Sequence, residues 1–181
     1  MIFTPTPLKG SYIVQLTPIK DKRGWFSRTY CKDEFEQIGH TAEWVQMNHS
    51  YTADKGTIRG MHYQPPPFSE IKLIRCIRGK VFDVIIDIRK DSPTFLQWYG
   101  VELSEASMNM IYVPEGFAHG FQTLSDNCEL IYHHSAVYVS GVEKGINYSD
   151  PRINITWPVG PTQISDRDRD HQMLLDNFNG I

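Results

Sequence analysis

The stretch "IKLIRCIRGKVFDVIIDIR", Ile71–Arg89, decides the reading of the fold. It is crowded with β-branched residues and broken once, at Gly79, which is how strands separated by a turn signal read. Successive side chains of a strand point to opposite faces, so Lys72, Ile74 and Cys76 share one face while Leu73, Arg75 and Ile77 share the other. A lysine in line with Ile74 and Cys76 is either turned inward or an edge-strand charge that discourages aggregation. Working outward, "SYIVQLTPI", "AEWVQMNHS", "TIRGMHYQ", "FLQWYGVEL", "NMIYVPEGF", "CELIYHHSAVY" and "INITWP" carry the same signal, most of them separated by Gly, Pro, Asn or Asp. In "ELIYHHS", Leu130, Tyr132 and His134 share a face, so an inward Leu130 brings Tyr132 with it. Two short helices are expected, over Lys32–Ile38 and after Ser165. With no repeat or linker to divide the chain, the pattern predicts one all-β domain over residues 1–181, an antiparallel sandwich or jelly-roll barrel with short peripheral helices.

The 181 residues suffice for a sizeable core. A net charge of -3, with acidic and basic residues interspersed, lacks the basic face or tail that nucleic acid requires. A few converging arginines could still hold a phosphate. Cys31, Cys76 and Cys128 are odd in number and have no CxxC spacing, which argues against a disulfide framework or a zinc ribbon. No apolar run has the length of a signal peptide or a membrane span, so no membrane partner and a cytoplasmic location are expected.

Residues able to do chemistry cluster on the expected strands. "TIRGMHYQPPP", Thr57–Pro67, places His62 in a short strand stopped by three prolines. A cupin-type iron or manganese site usually has two histidines one residue apart, whereas Tyr63 and Gln64 follow His62. No metal is therefore expected, although Glu70 and His119 have suitable donors. Acid–base work suits the residue types better: a histidine accepts a proton near neutral pH, a tyrosine can donate one, and a lysine can stabilise an oxyanion. By residue type alone, a lone strand histidine such as His62 is more often a satisfied core group.

"DKRGWFSRTY", "VQMNHS", "GTIRGMHYQ", "KLIRCIRGKVFDVIIDIRKDSPTF", "VPEGFAHGF", "ELIYHHSAVY", "SDPRINITWP" and "SDRD" occur in the order seen in the dTDP-4-dehydrorhamnose 3,5-epimerase family, and the resemblance runs from about Leu8 to Asp168. It implies a cupin-like jelly roll, a homodimer, no metal and no organic cofactor, and a nucleoside diphosphate 4-keto-6-deoxyhexose as substrate. The C4 ketone acidifies the C3 and C5 protons. Removal of one leaves an enolate, and reprotonation from the other ring face inverts the centre. The resemblance implies His62 as base, Asp168 as the carboxylate that orients it, Tyr132 as general acid and Lys72 as the cation on the enolate oxygen. It also implies substrate contacts from Arg23, Phe26, Gln46, Asn48, Arg59, His119, Tyr138, Glu143 and Arg167, with Phe26 stacked on the base.

Plainer roles compete for several of these. Arg23 could sit in a hairpin turn, Asp168 could cap the last helix as in S-x-x-D, His119 could be packed beside Gly120, and Glu143 could face solvent. Arg59 and His62 have opposite parity, so a shared site requires a bulge at Gly60 that resets the alternation. Two positions depart from the resemblance. Arg28 stands where dTDP-using members usually carry glutamate, and Met47 replaces the polar middle residue of their Q-D-N. Arginine offers only donors, which suits the N3 acceptor of cytosine better than the N3–H of thymine, so a CDP-linked substrate is carried beside the dTDP-linked one. A 3,4-ketoisomerase and a non-catalytic sugar-nucleotide binder are the competing readings. The pathway implied is deoxysugar biosynthesis for a surface polysaccharide such as O-antigen or for a glycosylated metabolite.

Overall fold

A computed structural model describes all residues, 1–181. Two antiparallel sheets face each other. The first has six strands: β1 (Ile2–Pro5), β2 (Tyr12–Gln15), β10 (Asn109–Val113), β7 (Lys72–Arg78), β12 (Cys128–His134) and β5 (Gln46–Thr52), in that spatial order. The second has five: β13 (Lys144–Gly145), β6 (Ile58–Tyr63), β11 (Phe117–Thr123), β8 (Lys80–Asp87) and β9 (Trp98–Ser104). A separate hairpin pairs β3 (Ile19–Asp21) with β4 (Gly24–Phe26). The helices are α1 (Lys32–Glu36) and α2 (Asp166–Arg169). Neither helix is long and apolar enough to cross a membrane.

The stretch around Gly79 is where the chain changes sheets, since β7 lies in one and β8 in the other. Gly79 adopts φ +74°, and a Cβ there would come within 2.7 Å of Ser125 Oγ and 2.9 Å of Cys128 Sγ. Only glycine turns the chain so tightly against that wall.

Between the sheets, Ile74, Cys76, Ile111 and Leu130 meet Val81, Ile85, Leu103, Phe117 and Phe121. Each such side chain contributes about 1.5–3 kcal/mol by leaving water. The outer face of the five-stranded sheet is also covered: Met61, Val84, Ile86 and Ala118 pack against Ile146, Ile153, Trp157 and Phe178 of the C-terminal segment. The near-continuous apolar run in β8 follows, because both its faces are buried. Phe35 of α1 closes a third cluster with Val14, Leu73 and Met110.

The facing assignments hold. Lys72, Ile74 and Cys76 are buried on the inner face, as are Leu130 and His134 on either side of Tyr132. Three boundaries differ from the sequence reading. "INITWP" forms no strand but lays Ile153, Ile155 and Trp157 over the outer face, with the Trp157 indole donating to Tyr148 O at 2.9 Å. "NMIYVPEGF" is cut after Val113, and a fully buried strand starts at Phe117. In "AEWVQMNHS" pairing begins only at Gln46.

Candidate active site

A cleft of about 560 Å³ opens between the two sheets, a size usual for small-molecule sites. His62 enters from β6 of the five-stranded sheet and Tyr132 from β12 of the six-stranded sheet, and both line it. His119 is the register partner of His62, and its ring centroid lies 6.3 Å from that of Tyr132. The imidazole and the phenol therefore occupy opposing walls.

The bulge expected at Gly60 is present. The β6–β11 register shifts between His119 and Phe121, so Gly60 and Met61 together oppose Gly120 alone. Gly60 has φ +118°, and a Cβ on it would stand 2.7 Å from Gly120 Cα and 2.8 Å from His119 O. The extra residue sends both Arg59 and His62 into the cleft. Arg59 is steadied by Nε donation to Thr52 Oγ1 at 3.0 Å and by a terminal nitrogen on Tyr51 O at 3.2 Å.

His62 Nε2 lies 2.7 Å from Asp168 Oδ1, and the other carboxylate oxygen accepts the Gly60 N–H at 3.0 Å. Ser165 Oγ caps α2 by accepting from Asp168 N at 3.1 Å. Asp168 thus belongs to the cap through its backbone and to His62 through its side chain. Burial works to raise its carboxyl pKa, yet the His62 hydrogen bond, the His62 charge and the Gly60 N–H hold it below the ordinary aspartate value. A carboxylate on Nε2 selects the tautomer with Nε2–H and leaves the Nδ1 lone pair to accept a proton.

On the opposing wall, burial pushes the Tyr132 phenol well above its usual range, against a 3.1 Å contact with Ser50 Oγ that favours ionisation. It remains a protonated donor. Lys72, on the same wall, places Nζ 3.1 Å from Glu70 Oε1, and Glu70 Oε2 meets His134 Nδ1 at 2.7 Å. Burial opposes ionisation of Glu70, but His134 and Lys72 keep its pKa below normal. His119 Nε2 sits 2.9 Å from Asp83, whose fully buried carboxyl is raised by desolvation despite the imidazole. The Asp83 and Glu70 partnerships carried no sequence signal beyond residue type. Ser50 could have been found, because it lies two residues from Asn48 on one strand.

Asn48, Glu143 and Arg167 also line the cleft, and Arg167 pairs with Glu143. Gln46 joins through its amide on Asn48 Oδ1 at 3.2 Å and accepts the Tyr138 N–H at 2.9 Å, while the Tyr138 side chain stays exposed. The remaining sequence candidates stand elsewhere. Arg23 is a hairpin-turn residue bonded to Asp21, and Phe26 lies 72% exposed on the same hairpin, away from this chain's cleft. Arg28 pairs with Glu34 at 2.9 Å, and Met47 points to solvent on the strand face opposite Asn48. The β3–β4 hairpin pairs with neither of the two large sheets, which is why Arg23 and Phe26 are separated from the rest.

Comparison with known proteins converges on one family. The model for dTDP-4-dehydrorhamnose 3,5-epimerase matches residues 5–176. The chain belongs to the dTDP-4-dehydrorhamnose 3,5-epimerase family. It is accordingly a carbohydrate epimerase, an isomerase, on a cupin-like jelly roll. The dTDP-4-dehydrorhamnose 3,5-epimerase of Shigella flexneri is 46% identical over 157 residues, 86% of each chain. The dTDP-4-dehydrorhamnose 3-epimerase of Streptomyces niveus is 36% identical over 177 residues, covering 97% of this chain and 85% of its own. Among solved structures of the family, dTDP-4-dehydrorhamnose 3,5-epimerase from Bacillus anthracis str. Ames, with TDP and PPi bound, superposes with a TM-score of 0.92 at 39% identity, covering 96% of this chain and 99% of that one.

Proposed function

We propose that this single-domain chain inverts C3 and C5 of a dTDP-linked 4-keto-6-deoxyhexose through enolate intermediates. The observation that carries the proposal is the placement of His62 and Tyr132 on opposite walls of one cleft. Inversion needs a base on one ring face and an acid on the other, and a binder or a ketoisomerase has no use for that opposition. His62 Nδ1 takes the proton from carbon, Asp168 stabilises the imidazolium that forms, and Lys72 holds the C4 oxygen as it becomes an enolate. A donor of that kind is worth about 2.7–4 kcal/mol of barrier. Tyr132, kept neutral by its surroundings, returns a proton from the far side. Arg59 and Arg167 take the diphosphate, with Asn48, His119 and Glu143 on the sugar and nucleoside.

Arg23 and Phe26 fit this scheme in a homodimer. The hairpin leaves Ile19, Trp25 and Phe26 exposed along its strands and carries Arg23 in its turn, and a hairpin of that kind is suited to enter a partner's cleft, bringing a cation for phosphate and a ring for the base. Gln46 and Tyr138 form the rim. Free thiols at Cys31, Cys76 and Cys128 suit the reducing cytoplasm. Arg28, engaged by Glu34, has fewer donors left for cytosine than its sequence position suggests, which favours the thymine nucleotide.

Deuterium uptake in D2O tests the mechanism. Exchange at both C3 and C5 of the dTDP-linked ketosugar is expected, abolished by His62→Asn with nucleotide binding retained. Exchange at C3 alone would make the enzyme a 3-epimerase, no exchange would make it a binder, and equal turnover of the CDP-linked sugar would remove the base assignment.

A further inference from the structure

The His62–Asp168 pair has a neighbour that the proposed chemistry leaves idle. Just beyond α2, His171 turns back so that its Nε2 lies 3.7 Å from Asp168 Oδ1, with its ring centroid 5.8 Å from that of His62. This nitrogen is buried and has no hydrogen-bond partner. Buried polar atoms of that kind are few in a folded protein and ask for an explanation. The ring is also held in place: the Gly145 backbone packs so closely over it that a Cβ at Gly145 would overlap the imidazole.

The geometry points to a binding site for a zinc-like divalent transition-metal ion, formed by His62 Nε2, Asp168 Oδ1 and His171 Nε2, that switches the enzyme off. The three donor atoms lie within 4.8 Å of one another. Two imidazoles and a carboxylate are donors that zinc accepts at about 2.0–2.2 Å, and tetrahedral bonds of that length set the donors about 3.3–3.5 Å apart. From 2.7 Å and 3.7 Å, the two contacts of Asp168 reach that spacing by moving less than about 1 Å each. Asp168 Oδ2 stays on the Gly60 N–H, which fixes the carboxylate as outer partners of metal ligands do. Two of the three ligands, His62 and Asp168, also line the cleft, so an ion held by them sits at its wall. Magnesium and calcium, which want a shell of oxygens, fit poorly.

The ion and the reaction exclude each other by proton accounting. In the working tautomer Nε2 carries the proton and Nδ1 the lone pair. Zinc takes the Nε2 lone pair, so the proton moves to Nδ1 with none lost overall, and Nδ1 can then accept nothing from substrate. His171 makes the site, because His62 and Asp168 alone supply too few ligands. The metal site stands apart from the substrate assignment; only the inhibition rests on His62 being the base.

The chelator-stripped protein is titrated with Co2+, whose visible bands report four- or five-fold coordination, and then with Zn2+ during C3 exchange. Expected are about one Co2+ per chain, displacement by about one Zn2+, and loss of exchange that chelator reverses. His171→Leu should lose the bands, keep wild-type exchange in chelator, and raise the half-inhibiting Zn2+ by about tenfold or more. His171→Gln serves as a second variant should the leucine fail to fold. Binding well below one ion per chain, or bands and inhibition unchanged in both variants, overturns the site. Full binding with exchange untouched overturns the inhibition and, with it, His62 as base. Metal binding in a protein that shows no exchange even in chelator counts against the epimerase mechanism alone.

Discussion

Asp168→Asn is the sharpest probe of how His62 is set to work. The carboxylate divides its oxygens between His62 Nε2 at 2.7 Å and the Gly60 N–H at 3.0 Å, and it is 4% exposed. An amide of the same shape keeps the volume and has one oxygen to share. Hydrogen bonds to charged groups are worth about 1.5–3 kcal/mol, and this one strengthens as His62 becomes imidazolium. Losing it slows proton removal by about 10–150-fold. If the amide oxygen serves Gly60, its NH2 faces Nε2 and selects the tautomer that protonates Nδ1, so the loss grows further, toward the ~10⁴-fold seen when a dyad carboxylate becomes an amide. The assay is C3 deuterium uptake followed by NMR, with far-UV circular dichroism and thermal melting to confirm the fold. Uptake within about twofold of wild type in a folded variant would refute the dyad, since it would mean Asp168 contributes less than about 0.5 kcal/mol to the step.

Three further outcomes follow from other parts of the molecule. Tyr132→Phe should retain C3 proton removal while lowering completed inversion by about 10²–10⁴-fold, read as the ratio of deuterium uptake to epimer formed; equal losses in both would deny Tyr132 the acid role. Asp87 is held at a pKa of about 2: burial opposes its ionisation, but Arg89, Ser92 and Thr94 more than offset that. Its folded value lies below the unfolded one, so it stabilises the fold above pH about 4 by roughly 2 kcal/mol, and that stability is lost as pH falls from about 4 toward 2. Urea denaturation of Asp87→Asn at pH 7 and pH 3 should show a lower midpoint at pH 7 and a smaller change between the two than wild type. Gly60→Ala forces a Cβ against the Gly120 backbone at 2.7 Å and a side chain onto φ +118°. A melting temperature lowered by several degrees together with impaired exchange is expected, and an unchanged melting profile would argue against a bulge that only glycine can hold.

Much of the site was legible because strand periodicity is local. Periodicity set Lys72 on one face with Ile74 and Cys76, and Tyr132 on one face with Leu130; the burial of Ile74, Cys76 and Leu130 in the core then decides that both face inward. The conflict between Arg59 and His62 announced the bulge at Gly60 before any register was known. "INITWP" failed as a strand for a complementary reason: alternating apolar residues can cover a sheet as well as join one. Spacing offered Asp168 as a cap and the resemblance implied it as a partner of His62; its backbone N–H meets Ser165 and its side chain meets His62, so the two contacts do not compete.

The sequence by itself determined the all-β class, which residues share a strand face, and the family, since alternation, turn residues and motif order are all properties of neighbours along the chain. Tertiary structure alone decided which distant groups became partners. Asp168 reaches His62 across 106 positions, Asp83 lies beneath His119, and Glu70 joins Lys72 to His134. It also turned the β3–β4 hairpin with Arg23 and Phe26 away from the chain's own cleft and set His171 beside the dyad. Such meetings depend on register and on how two sheets close over one core, and no local period encodes either.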